Sequence, residues 1–125
     1  MGAGLRGVAA RIYDMLKAIE SIEAINTQKR EVNGLAPWIA RLAIERAIEI
    51  ISEASRHIPT EMKADFPDIR WKNIAGIGNI LRHDYQSIRD SVIGSVTVDE
   101  IPILKAALQT MQDRLDDGQN PTEQS

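Results

Sequence analysis

From Val8 onward the apolar residues Val8, Ile12, Met15, Ile19 and Ile22 return every three or four positions with charges between them, the stripe of an amphipathic helix. The pattern predicts a first helix over about Leu5 to Thr27. It stops at "TQKREVNGL", which has no period and contains the turn dipeptide Asn33-Gly34. Pro37 then suits the first turn of a second helix. In "WIARLAIERAIEIISEASRHI" the apolar residues occupy more than one face, Ile44, Ile48, Ile51 and Ile58 on one and Ile39, Leu42 and Ile50 around the side. So wide an apolar surface belongs to a central helix, or to one that buries a second face against a partner subunit. Pro59 marks its end, with Arg56 and His57 near the negative pole of the helix dipole.

"PTEMKADFPD" reads as a short helical turn closed by Pro67, after which Asp68 is the expected N-cap of a helix beginning "IRWKNIAGI", with Ile74, Ile77 and Leu81 inward. A loop is expected near "SVIGSVT". "TVDE" then offers a capping box, although Pro102 would fit better with Asp99 as the cap, and the boundary stays open. The last helix has the stripe Val98, Ile101, Leu104, Leu108, Met111 and Leu115, before "DDGQNPTEQS" turns polar. No segment alternates with period two. The expected fold is all-α, an antiparallel bundle of about four to five helices over residues 8–116, with 1–7 a disordered or tag-like N-terminus and 117–125 a polar tail.

Composition narrows the function classes. Hydrophobic residues make up 43% and charged residues 26% of the 125, as in an ordinary globular domain, and no apolar run approaches the roughly 20 residues that span a bilayer. Without cysteine there is no thiol catalysis or thiolate metal site. A cytoplasmic location, with no membrane contact, is the default. The net charge of −3 argues against a broad electrostatic nucleic-acid surface, so any nucleic-acid chemistry must be local. There is no Gly-rich phosphate loop, H-E-x-x-H or G-x-S-x-G.

What remains is "GIGNILRHDYQ", a helix carrying Asn79 and His83 one turn apart on one face, with Tyr85 pointing largely to the other side. Histidine can take or give a proton near neutral pH, and asparagine can orient a phosphate or a ring nitrogen. The pair would suit RNA transesterification, in which the ribose 2′-hydroxyl attacks the adjacent phosphate without a metal. A histidine near a helix end also serves as a plain structural hydrogen-bonder, and Asn-x-x-x-His alone does not decide between the two.

The order "RAIEIISEASRHIP", "FPDIRWKNIAGIGN", "LRHDY" resembles the HepT-like branch of the HEPN superfamily, from about Ile12 to Leu115. There the second motif typically reads W-x-x-I-x-G-x-R-N-x-x-x-H-x-Y. The resemblance implies an antiparallel helical bundle that forms a homodimer, with the motifs of two subunits facing one cleft. It implies a metal-independent endoribonuclease with no cofactor, the toxin of a toxin–antitoxin pair. The expected antitoxin is a minimal nucleotidyltransferase that silences the toxin by adding AMP to the motif tyrosine. By position the histidine is His83, the asparagine Asn79 and the modified tyrosine Tyr85. One position departs: the motif arginine is replaced by Gly78. Arg82, one turn later on the same face, is the expected substitute. Gly76 reads as a close-packing position for a neighbouring helix.

Other residues invite lesser roles. Glu53, Arg56 and His57 could reach the cleft, and Glu45 and Glu49 could transfer protons, although a salt-bridge role is the simpler reading. Trp38 and Trp71 could stack on bases, with core packing the simpler reading, and Asp84 stands beside His83. Two rivals to the toxin remain: a catalytically inactive HEPN module that binds its nucleotidyltransferase or RNA, and a helical dimerisation protein without a ligand.

Overall fold

The computed structural model describes residues 2–27 and 37–118. In chain order its helices are α1 (Gly2–Thr27), α2 (Pro37–Ser55), α3 (Thr60–Ala64), α4 (Trp71–His83), α5 (Gln86–Ser95), a π-helical stretch (Val96–Glu100) and α6 (Ile101–Gly118). No strand occurs among the described residues, and the fold is an all-α bundle. No described helix is long and apolar enough to cross a membrane. The expected turn at Asn33-Gly34 and the tail beyond Gly118 lie outside the described residues.

The α1 stripe is buried along its length, with Ile12, Met15 and Ile19 fully enclosed, because a three-four spacing keeps all five positions on one side of the axis. α1 packs on α2 and α6, and α2 packs in turn on α4 and α5. Ile48 and Ile51 of α2, Ile74, Ile77 and Leu81 of α4, and Leu104, Leu108 and Met111 of α6 close the core. α2 is therefore the central helix that its wide apolar surface predicts. α3 and the turn after it are tied to α6 through Arg114, which pairs with Asp65 at 3.1 Å and lies over the Phe66 ring.

The loop expected near "SVIGSVT" is instead helical, and the chain runs without a break from Gln86 to Gly118. Pro102 explains how. It has no N–H to donate, and its ring crowds the carbonyl four residues back. The turn before it widens to the π pattern, in which the Ile101 N–H reaches Val96 O, and the helix continues past the proline. Neither Thr97 nor Asp99 caps a helix here. The widened turn also moves Val98 out of the α6 stripe, leaving it 72% exposed. Asp68 is not the cap of α4 either: the N-cap position is Arg70, without a side-chain cap bond. Ile69 is buried in the core, and anchoring it delays the helix start.

Candidate functional site

α4 is held against α2 by a short polar zipper. The Ser52 hydroxyl, buried between the two helices, donates to Ala75 O at 3.0 Å and accepts from the Gly78 N–H at 3.1 Å. Arg56 adds two bonds to the same carbonyl, from Nε at 3.2 Å and Nη2 at 2.8 Å. Gly78 is buried at this contact. A Cβ there would stand 3.3 Å from Ser52 Oγ and 3.2 Å from Arg82 Nη1, whereas a Cβ on Gly76 would meet nothing within 4 Å. The expectation for Gly76 is thus corrected. Gly78 is the close-packing glycine, and Gly76 faces open space.

Beyond Gly78 the helix runs out into solvent. Asn79, Arg82 and His83 are all exposed. α4 ends at His83 with Asp84 extended and its N–H bonded to Ile80 O at 2.9 Å. Tyr85 is extended as well, at the N-cap of α5, and is 81% exposed. Asn79 and His83 share the outer face of the last turns but do not hydrogen-bond each other, and neither side chain is bonded to another described residue. Arg82 is likewise unpaired, with its guanidinium folded back over Gly78. Arg82 and His83 are thus both exposed and unpaired, about 100° apart around the α4 axis.

A second set of contacts fixes the α4–α5 corner; the salt-bridge reading of Glu45 holds, but its partner on α5 is not legible in the sequence. Glu45 is a buried acid, only 6% exposed, and its Oε1 is ion-paired with Arg89 of α5. Its Oε2 makes no hydrogen bond and lies 3.9 Å from Arg41 Nε. Arg41 is hydrogen-bonded to Asp90, which holds the guanidinium pKa above its ordinary value. These four charges clamp α5 to α2 just beyond Tyr85. The Arg41–Glu45 spacing of four was visible in the chain, but Arg89 joins from 44 residues away.

The other candidates separate from His83. Arg56 is committed to Ala75, and His57, in the turn just past α2, has Nε2 3.5 Å from Glu53 Oε1. Ala75 is two turns before His83, about 12 Å along the axis, so this trio belongs to the Ser52 contact and not to the His83 end of α4. Glu49 lies 4.0 Å from Arg46. Trp71 packs against the core, with its Nε1 donating to Phe66 O at 3.3 Å. Core packing fails for Trp38, which is 62% exposed. Among the described residues no cluster of three His, Asp or Glu side chains is placed to hold a metal ion.

Compared with known proteins, residues 15–111 match the family model described as Ribonuclease HepT-like. The chain belongs to the HepT-like ribonuclease family. One relative of this HepT-like chain, from Methanocaldococcus jannaschii, is named "Putative RNase MJ1380". It is 30% identical over 104 residues, 83% of this chain and 95% of the relative. Another, "Probable ribonuclease HepT" of Thermococcus cleftensis, is 31% identical over 101 residues, 81% of this chain and 92% of the relative. No solved structure matches the chain.

Proposed function

We propose that this HepT-like protein is the toxin of a toxin–antitoxin pair, a dimeric, metal-independent endoribonuclease acting through His83. The reading is supported by the exposed, unpaired Asn79–His83 face and by an unpaired Arg82 guanidinium on the neighbouring face of α4, over Gly78. In the reaction the 2′-hydroxyl oxygen attacks the adjacent phosphorus and loses its proton. The 5′-oxygen of the next nucleotide leaves and takes a proton, giving a 2′,3′-cyclic phosphate and a 5′-hydroxyl. The step needs one base and one acid. Each chain holds two histidines, and His57 is turned to Glu53. Two copies of His83 facing one cleft would therefore supply both groups. Asn79 orients the imidazole or the phosphate, and Arg82 neutralises charge developing on the phosphate oxygens.

Dimerisation has support in exposed apolar groups at the same end of the molecule. Trp38 and Leu42 are exposed on the α2 face that carries Glu45, and Ile88 is exposed on α5 beside the clamp. Their burial against a second copy would be favourable. Tyr85, the most exposed of the described large hydrophobic side chains, is the proposed acceptor of AMP from a minimal nucleotidyltransferase. A phosphodiester there would place negative charge and bulk beside the cleft and repel RNA phosphate.

One observation favours a second reading, in which the protein binds RNA or the nucleotidyltransferase without cutting: Gly78, which the motif resemblance aligns with the family arginine, is buried against α2. Mass analysis distinguishes the two. Incubation of RNA with the purified protein should yield fragments ending in 2′,3′-cyclic phosphate, and incubation with the nucleotidyltransferase and ATP should add one AMP to the Tyr85 peptide. Intact RNA together with an AMP-modified Tyr85 would select the second reading.

A further inference from the structure

Gly76 carries an unexplained cost. Glycine within a helix is less favourable than alanine by about 1 kcal/mol, and here no neighbour requires the missing side chain, since nothing lies within 4 Å of the Cβ position. What the glycine does is leave the α4 backbone open to a groove of about 360 Å³ between α4 and the α5–π segment, lined by Lys72, Asn73, Gly76, Ile80 and Ser91 among others. Lys72, Asn73 and Ser91 have no hydrogen-bond or ion-pair partner among the described residues. Arg70 at the groove's far end is by contrast paired with Glu100 at 3.4 Å. The groove thus combines one uncommitted cation, two uncommitted polar side chains and the apolar edge of Ile80.

Its position relates it to the candidate site. Lys72, Gly76, Asn79 and His83 follow one another at intervals of four, three and four, which keeps them on one face of α4. Lys72 stands about 16 Å along the axis from His83, farther than one nucleotide of a strand whose cleaved phosphate sits at His83. Single-stranded RNA is recognised by holding its phosphates with cations and its splayed bases by stacking and edge hydrogen bonds.

We propose that this groove is a subsite for a nucleotide of single-stranded RNA lying beyond those that flank the cleaved bond. Lys72 holds a phosphate, Asn73 and Ser91 hydrogen-bond the base edge, and the bare backbone at Gly76 lets the nucleotide lie flat on α4. The inference rests on the ribonuclease reading above, and its test separates the two.

Cleavage of a single-stranded oligoribonucleotide would be measured for the wild type, Lys72→Ala and Gly76→Leu, and binding of the same oligonucleotide would be measured in the His83→Ala background. Leucine is a good helix former with room at position 76, so Gly76→Leu should keep or raise Tm while filling the groove. Both variants should raise KM and Kd roughly tenfold with a much smaller effect on kcat, and Lys72→Ala should flatten the log Kd against log salt slope by about 0.7, the value for one phosphate contact on a single strand. Wild-type cleavage with KM, Kd and salt slope unchanged in both folded variants would overturn the subsite while leaving the ribonuclease reading intact. A wild type that neither cuts nor binds RNA would overturn both, and one that binds without cutting, with binding lost in the two variants, would overturn only the ribonuclease.

Discussion

A Cβ on residue 78 would meet two neighbours of different character. Arg82 Nη1, at 3.2 Å, is the end of a flexible side chain and can swing away, but Ser52 Oγ, at 3.3 Å, is buried and bonded on both sides. Gly78→Arg should therefore destabilise the protein by about 1–3 kcal/mol through overpacking, partly offset by the roughly 1 kcal/mol that arginine gains over glycine in a helix. Ser52→Gly should relieve it. A double-mutant cycle read by thermal melting should show the double variant more stable than the sum of the single effects; strict additivity would mean that the two residues do not meet. If Arg82 has taken the phosphate-binding role, Arg82→Ala should lower kcat about 100-fold in the wild-type background and far less in Gly78→Arg/Ser52→Gly. His83, Asn79 and Tyr85 stand out in the chain as candidates because the motif is local, spanning one helix and one corner. The contact between Gly78 and Ser52 does not, since it joins residues 26 apart, and spacing along one helix carries no information about what faces it. Hence the two glycines exchanged roles.

The elements that carry the candidate site are α4 and α5, and the Glu45–Arg89 pair sets α5 on α2. Removing Arg89 would leave the buried carboxylate with only Arg41 Nε, 3.9 Å away and hydrogen-bonded elsewhere, the costly way to break such a pair. Arg89→Ala should lower stability by about 3 kcal/mol, whereas replacing both partners with apolar residues of similar size, Glu45→Leu with Arg89→Met, should come much closer to neutral. Urea unfolding checks both, and equal losses in the two variants would show that the pair contributes specific geometry rather than charge compensation. The helical spans of α1, α2 and α4 were legible because their apolar residues keep a 3.6-residue period from end to end. The α5–α6 junction was not. Pro102 reads as a helix boundary, and only the π turn before it lets the helix run on, displacing Val98 from the stripe to which its spacing assigns it. The salt-bridge role of Glu45 was legible but its burial and its partner were not, for the same reason as the Ser52 contact, because Arg89 joins from 44 residues away.

At the scale of the whole molecule the bundle leaves Trp38, Leu42 and Ile88 uncovered near the α4–α5 corner, and the proposed chemistry calls for two histidines. Sedimentation of the wild type should give a dimer, and Trp38→Glu with Leu42→Glu should give a folded monomer without RNA cleavage. A monomeric wild type that still cut RNA would remove the need for a second His83. The central claim is that His83 drives metal-independent attack by the ribose 2′-hydroxyl. It is tested most directly by comparing the wild type with His83→Ala in EDTA, free of any nucleotidyltransferase, on an oligonucleotide carrying either ribose or 2′-deoxyribose at the cleaved position. The predicted result is cleavage by the wild type of the ribose substrate alone, lowered at least about 100-fold in His83→Ala. Equal cleavage by the two proteins, cleavage of the deoxyribose substrate, or no cleavage by the wild type at all would contradict it.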